Sequence, residues 1–317
     1  MHRFAARFLP FLVVSLICGD AVAGPWYTGP LLAPAGHTIP RGHTNLEPYA
    51  FFTDNEGVYN RHWRLSHLPH SESIVGNPVI THGMTDKMDI QYTLPYAYNE
   101  QQGRSYQHIS DVSAILGYQA LEQGKAKWWP DLRVTLQEIF PSGKFKDLNP
   151  LNNGVDATGL GSYQTGFNLN FQHLLQLTEV NYLRTRFSAG YLIPLDVNIR
   201  GLTAYGGTAN TNGKINPGNM ISLDLAWELN LTQNLVAVME GYYASRDRTR
   251  FRGFRGLTDK GKTPKIGHEY MEEISLAPAI EYNFNANVGI IGGYWFSITG
   301  KDATDFKSVV VALNIYI

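Results

Sequence analysis

The stretch from Asp305 to Ile317 constrains the fold more than any other part of the sequence. Apolar side chains occupy every second position there, up to the last residue of the sequence. This period of two is that of an extended strand with one fully apolar face. The apolar positions are Val309, Val311, Leu313, Ile315 and Ile317. An uncapped apolar strand is a liability in water, so the pattern favours a strand that closes a barrel in lipid.

The same alternation recurs in segments of roughly ten residues, the length that a tilted strand needs to cross the hydrocarbon layer. Short and long connections follow one another in turn, which is typical of an up-and-down antiparallel barrel with short periplasmic turns and long outer loops. The long links are expected near 54–71, 98–108, 141–158, 195–217 and 248–269. The sequence therefore predicts an all-β transmembrane barrel of about twelve strands. They are expected near 44–53, 72–82, 88–97, 109–122, 130–140, 159–174, 180–194, 218–230, 235–247, 270–283, 287–298 and 305–317.

Composition excludes two other classes of protein. The mean hydropathy of −0.21 and the lack of a run of eighteen apolar residues argue against a polytopic helical membrane protein. The net charge of −1 offers no global case for nucleic-acid binding. The 31 glycines, 18 tyrosines and 15 phenylalanines are instead the mix expected of many strands joined by tight turns.

Residues 1–23 have the pattern of a secretory signal peptide. They begin with Arg3 and Arg7, continue with an apolar run too short to span a bilayer, and end in an Ala-Val-Ala cleavage signal before Gly24. The alternative is a lipoprotein acylated at Cys18, but the residue before this cysteine is Ile17 rather than a small one. Cleavage after residue 23 would leave a mature chain without cysteine, which removes disulfides and thiolate chemistry.

Residues 24–43 are dense in proline and glycine and show no strand period. We expect them to form a periplasmic lead-in segment or a plug-like extension that could narrow the lumen. The barrel domain then comprises residues 44–317.

Six charged residues fall on the polar faces of the predicted strands and are candidates to line the lumen. They are Asp89, Arg133, Asp224, Glu228, Glu240 and Glu281. Such residues either set the selectivity of a pore or pair in a network that fills it. The network is the simpler expectation, because a barrel of about twelve strands is narrow enough for side chains to occlude it.

Residues 246–265 form a strongly basic predicted loop. Its arginines are Arg246, Arg248, Arg250, Arg252 and Arg255. They could bind an anionic partner, such as the phosphates of lipopolysaccharide or an anionic solute. The alternative is a solvated loop whose first arginines line the lumen or meet the headgroup layer.

The sequence predicts neither a metal site nor a catalytic site. Six of the ten histidines lie between residues 37 and 82, but their spacing fits no regular element that would gather them around an ion. There is also no Gly-x-Ser-x-Gly elbow. We therefore expect no enzyme activity and no cofactor.

Several turn motifs resemble those of the outer-membrane barrels assigned to the meta-pathway of phenol degradation. They are Asn77-Pro78, the run from Gly83 to Ile90, Ser110-Asp111, and the run from Phe140 to Lys144. Ser110 and Ser142 depart from the glycine and threonine usual in that family. The resemblance implies a Gram-negative outer membrane and passive uptake of small, hydrophobic or aromatic solutes. A structural or surface barrel, whose outer loops bind an envelope or host component, is the alternative function.

The expected partners follow from the predicted location. Outer-membrane lipids and lipopolysaccharide would surround the barrel. The last strand resembles the terminal recognition strand of such barrels, so the barrel-assembly machinery would bind it first. Tyr316 and Ile317 depart from that pattern, because these strands usually finish on phenylalanine.

Overall fold

The computed structural model describes residues 25–124 and 128–317; the predicted signal peptide, with Cys18, lies outside them. The strands are β1 (Thr44–Tyr59), β2 (Leu65–Thr85), β3 (Met88–Thr93), β4 (Tyr96–Gln101), β5 (Arg104–Ile109), β6 (Val112–Leu121), β7 (Asp131–Phe140), β8 (Gln164–Gln176), β9 (Tyr182–Pro194), β10 (Val197–Arg200), β11 (Asn212–Asn216), β12 (Met220–Asn230), β13 (Leu235–Arg246), β14 (Arg250–Phe254), β15 (Met271–Asn283), β16 (Val288–Lys301) and β17 (Ala303–Tyr316). A 3-10 turn covers Pro150–Asn152. Among the described residues, no helix combines the length and apolar character needed to cross a bilayer.

Twelve of these strands form one closed antiparallel barrel. Its wall runs in the order β1, β17, β16, β15, β13, β12, β9, β8, β7, β6, β3 and β2. The circle closes because β1 also pairs with β2. The last strand therefore lies between β1 and β16, as the C-terminal alternation predicts. The predicted fold class and strand number are confirmed.

The two faces of each wall strand differ in the way that a lipid environment requires. On β17, Val309, Val311 and Leu313 are exposed on the outside, whereas Ser308 and Val310 are buried inside. Because side chains alternate across a strand, a one-residue slip would put the polar set into lipid. The outward apolar band is thus fixed by the same period that identifies the strands in the sequence.

Two predicted outer loops are instead regular structure. The span 54–71 was expected as a polar link, but β1 and β2 remain paired until a tight turn at residues 60–64. The span 98–108 contains the β4–β5 hairpin. Polar side chains do not end a strand whose backbone is still hydrogen-bonded to neighbours, so these strands continue past the apolar band.

Pro78 of β2 lies directly opposite Pro48 of β1. On the other side of β2, Leu94 N–H donates to Pro78 O at 3.2 Å, just after β3 ends. The backbone edge of Pro78 therefore faces away from β1, at the gap between the end of β3 and the start of β4. The N–H group that proline lacks falls at this gap, so β2 continues through Pro78 with its pairing to β1 intact.

A second, small sheet caps the outer end of the barrel. It consists of β10, β11 and β14, which come from the predicted loops 195–217 and 248–269. One face packs into a small apolar core containing Ile199, Ile215 and Phe251. The small sheet and its apolar core therefore hold the basic loop in a fixed position.

Candidate functional site

Residues 25–43, here called the plug segment, lie inside the barrel. Glu240 of β13 accepts hydrogen bonds from the backbone N–H groups of Leu31, Leu32 (2.9 Å) and Ala33 (3.0 Å). Glu281 of β15 accepts from Thr28 N–H. An irregular buried backbone needs partners for its N–H groups, and these two carboxylates supply them.

The other half of the plug segment is bound to the opposite side of the barrel. Thr38 N–H donates to Gln119 Oε1 at 2.7 Å, and Ile39 N–H donates to Asp89 Oδ2 at 3.1 Å. Gly36 passes so close to β8 that a Cβ there would stand 2.6 Å from the Gln172 backbone nitrogen. The segment thus crosses the lumen from β15 to β3.

One side of the lumen, here called the charged wall, consists of β3, β7, β9 and β12. Arg133 donates to Asp89 Oδ1 through Nη2 at 2.7 Å and Nε at 3.1 Å. This pair reaches across β6 at Gly117, where a Cβ would come within 2.2 Å of the carboxylate oxygen. The bridge therefore depends on a residue without a side chain.

A second ion cluster of the charged wall contains two arginines around one carboxylate. Arg184 makes two hydrogen bonds to Glu228, its direct partner across β9 and β12, and Arg186 Nε lies 3.3 Å from Glu228 Oε2. All three side chains are buried. The Arg184 guanidinium also stands 4.0 Å from the centre of the Tyr27 ring of the plug segment, a cation–π contact.

The opposite side, here called the apolar wall, consists of β13, β15, β16 and β17. Its buried inward residues are Val236, Val238, Ala277, Ala279, Ile291, Val310 and Ala312. Leu31 of the plug segment packs into this group and is 3% exposed. The plug segment thus supplies the hydrophobic partner that this wall would otherwise lack.

A cavity of about 690 Å³ remains between the plug segment and the inner wall. Its lining includes six tyrosine, phenylalanine and tryptophan side chains, of which Tyr49, Phe51, Tyr242 and Trp295 form one cluster. Trp295 makes edge contacts with Phe51 and Tyr242 at ring distances of 6.5 and 6.3 Å. The cavity also reaches Ala286 and Asn287 in the β15–β16 turn, so it extends from that periplasmic turn to the aromatic cluster.

The six predicted lumen residues are all buried inside the barrel, and five of them have partners there. Asp89 pairs with Arg133, Glu228 with two arginines, and Glu240 and Glu281 with the plug segment. Asp224 differs, because its Oδ1 is buried and has no hydrogen-bond partner among the described residues. Whether any of them selects solutes stays a prediction.

The sequence analysis missed Arg184 and Arg186. Both occupy inward positions of β9, where they alternate with Leu183, Thr185 and Phe187. Extending the period-two pattern through this strand would have identified them.

The five arginines of the basic loop occupy three different environments. Arg246 is at the end of β13, largely buried, and its Nη2 lies 3.3 Å from Met220 Sδ. Arg248, Arg250 and Arg252 line a second, smaller cavity at the outer end. Arg255 stands 5.6 Å from the centre of the Phe251 ring. The five arginines that were predicted to bind an anion therefore do not form a single site.

Three ligand-type side chains from the histidine-rich region come together on β1 and β2. Asp54, His70 and Glu72 have oxygen or nitrogen atoms within 4.8 Å of one another, and all three are exposed. His70 Nε2 lies 3.0 Å from Glu72 Oε1, so a hydrogen bond accounts for their proximity. The prediction of no metal remains untested.

No protein-family model matches the chain, and no curated protein matches it. Solved structures do. An outer membrane channel from Pseudomonas putida F1 is similar over 89% of this chain and 98% of its own, with a TM-score of 0.68 and 11% identity. The β domain of the Bordetella autotransporter BrkA has a TM-score of 0.47 and 9% identity over 87% of this chain and all of its own.

The NanC porin has a TM-score of 0.44 and 9% identity over 85% of this chain and 98% of its own. At these identities the likeness establishes the fold alone. That fold is the closed barrel of outer-membrane proteins, and a Gram-negative outer membrane is the location that it implies. The resemblance to the meta-pathway barrels stays a prediction.

Proposed function

We propose that the protein is an outer-membrane channel for passive diffusion of small solutes, hydrophobic and aromatic ones among them. The observation that carries this proposal is the 690 Å³ cavity beside the plug segment, with aromatic rings on one side. Its volume is within the range of about 300–1,000 Å³ typical of small-molecule sites. The shared fold with an outer membrane channel supports the proposal.

In the proposed mechanism the plug segment sets the width of the path. Residues of the charged wall, among them Arg133 and Arg186, line one side of the cavity, and apolar solutes move along the opposite, aromatic side. Tyr49, Phe51 and Trp295 offer flat apolar faces to a solute, and the buried Asp224 oxygen is an unused acceptor. This arrangement favours a small ring with a hydrogen-bond donor over a hydrated ion.

The plug segment is tested by Leu31→Ala, with Arg41→Ala as the control. Leu31 is buried against the apolar wall, whereas Arg41 lies in the same segment, is exposed and does not line the cavity. Removing a buried leucine costs about 2–5 kcal/mol, so Leu31→Ala should loosen the segment. We expect more frequent channel openings in planar bilayers than for the wild-type protein or the control. Identical records from all three proteins would contradict the role of the segment.

The solute class is tested by Trp295→Leu, with Trp227→Leu as the control on the lipid-facing side of β12. Phenol added to the bath should reduce the ion current of the wild-type channel. Trp295→Leu should weaken this block, because an aromatic face is lost, and Trp227→Leu should not. Equal block in all three proteins would exclude an aromatic binding region at the cavity.

The alternative is a barrel that binds an envelope or host component through its outer loops and does not transport. The folded outer sheet of β10, β11 and β14 favours it, because an apolar core holds these loops in fixed positions. A barrel that stays silent in planar bilayers, both as the wild type and as Leu31→Ala, would leave this alternative.

A further inference from the structure

The second cavity, of about 300 Å³, is a basic site on the outer sheet. Its charged lining residues are Asp196, Lys214, Asp247, Arg248, Arg250 and Arg252. We call this site the basic pocket. Four cations and two carboxylates give it an excess of two positive charges.

The outer sheet fixes the cations on one face. Lys214 of β11 is the direct partner of Arg252 of β14, and the next pair on the same face is Asn216 with Arg250. The alternating residues, Ile215 and Phe251, point into the apolar core on the other face. Like charges directly opposite each other destabilise a sheet. Asp196 lies 3.2 Å from Lys214 Nζ and relieves part of this repulsion, and an anion bound at Arg252 would relieve the rest.

The carboxylates of the pocket do not neutralise the arginines. Asp196 accepts from Asn216 Nδ2 at 2.8 Å and lies 3.2 Å from Lys214 Nζ. The Asn216 hydrogen bond, with Lys214, lowers the pKa of Asp196, which keeps it ionised. Across residues 25–124 and 128–317, no carboxylate lies within 4.0 Å of the Arg248, Arg250 or Arg252 guanidinium groups. Their planar N–H donors remain free for a ligand with several oxygen acceptors.

The pocket lies at the upper edge of the lipid-facing surface. Asn219 lines it and donates through Nδ2 to the Tyr191 hydroxyl at 2.7 Å. Tyr191 is on the outward face of β9 and 41% exposed, on the same face as Phe187 and Ile193. Tyrosine in this position marks the boundary between hydrocarbon and headgroups in membrane proteins. The basic pocket is therefore within reach of phosphates in the outer leaflet.

We propose that the basic pocket binds phosphate groups, with Arg250 and Arg252 as bidentate donors and Lys214, directly opposite Arg252, as an additional point charge. Phosphate matches the fork geometry of arginine, and several cations together are needed for its charge. The same chemistry is offered by the phosphorylated headgroup of lipopolysaccharide and by a soluble phosphate ester. The proposal is independent of transport through the lumen.

The test uses the full mature chain refolded in detergent, with two charge-matched double variants. Arg250→Gln/Arg252→Gln removes two cations from the pocket. Lys260→Gln/Lys262→Gln removes two from the same loop, where neither residue lines the pocket. A heat-modifiable gel shift confirms that each variant is folded, and Lys214→Gln serves if the arginine variant fails to fold. Binding is measured by calorimetry with pyrophosphate, with lipopolysaccharide, and with enzymatically dephosphorylated lipopolysaccharide.

We expect the wild type to bind intact lipopolysaccharide more tightly than the dephosphorylated form, with affinity falling as salt rises. The arginine variant lacks the charge-assisted hydrogen bonds to the phosphate, so it should lose at least about tenfold in affinity. The lysine control should keep most of it. Binding of pyrophosphate without lipopolysaccharide would assign the pocket to a soluble phosphate ester. Equal losses in the two variants, or equal binding of both lipopolysaccharide forms together with no binding of pyrophosphate, would overturn the proposal.

Discussion

The two walls of the lumen satisfy their buried residues in different ways. The charged wall pairs its side chains among its own strands, as in the bridge from Arg133 to Asp89 and the cluster around Glu228. The apolar wall carries Glu240 and Glu281 among aliphatic residues, and both accept hydrogen bonds from the plug segment. Its aliphatic surface is covered by Leu31 of the same segment.

The two walls therefore depend on the plug segment to different degrees. The ion pairs of the charged wall form between barrel strands alone, and the plug segment adds single contacts to Asp89, Arg184 and Arg186. The apolar wall needs a segment from outside the barrel sheet, both to cover apolar surface and to supply donors. Movement of the plug segment should therefore affect the apolar wall first, which carries Tyr242 and Trp295 of the cavity lining.

The largest effect is expected from deleting residues 308–317. This removes most of β17, including Val310 and Ala312 of the apolar wall, and leaves unpaired edges on β1 and β16. Open edges are not tolerated in hydrocarbon, so we expect complete loss of the inserted barrel. The heat-modifiable shift of the membrane fraction measures it. Deleting residues 259–262 at the tip of an outer loop should leave the shift intact. A truncated protein that still inserted would show that another strand closes the barrel.

The sequence predicts the wall of the barrel well and its interior poorly. Period-two alternation identifies β17 and β8, because lipid on one side and a polar lumen on the other impose a two-sided pattern. The alternation does not indicate which residues an inward-facing side chain contacts. Nothing around Glu240 indicates that its acceptor atoms bind the N–H groups of residues more than 200 positions away. The proline- and glycine-rich composition of residues 24–43 excludes a strand but does not show on which side of the membrane they lie.

Glu228→Gln tests whether the charged wall is self-contained. The change leaves Arg184 and Arg186 buried next to each other without a countercharge. Breaking a buried ion pair from one side costs about 3–5 kcal/mol. We expect a loss of that size in the free energy of unfolding, measured by urea titration in detergent and followed by the gel shift. Glu179→Gln, in an exposed turn, is the control and should change little.

The substitution Glu228→Gln should also destabilise a chain that lacks the plug segment. A loss should persist in a chain that lacks residues 25–43, because Glu228 remains the ion-pair partner of both arginines there, although Arg186 loses its hydrogen bond to Ala33 O and Arg184 its contact with the Tyr27 ring. A loss that disappeared in the shortened chain would show that the charged wall also relies on the plug segment.

Glu240→Gln should have the smallest effect and should change sign between the two chains. In the full chain both carboxylate oxygens of Glu240 accept from backbone N–H groups, but glutamine keeps one acceptor oxygen and places an NH2 donor opposite the remaining N–H groups, which costs about 1–3 kcal/mol. Without residues 25–43, Glu240 becomes a carboxylate on an apolar wall that has lost these donors. Asp224 is its diagonal neighbour on the inner face, since Ala226 pairs with Glu240 and Asp224 with Tyr242.

Removing the charge of Glu240 in the shortened chain should therefore relieve like-charge repulsion and raise the free energy of unfolding. The two chains and their Gln variants form a double-mutant cycle, which isolates the interaction between Glu240 and the plug segment. Urea titration of the four proteins supplies the values. A cost of the same sign and size in both chains would mean that Glu240 does not hold the plug segment, and the contrast between the two walls would then rest on Leu31 alone.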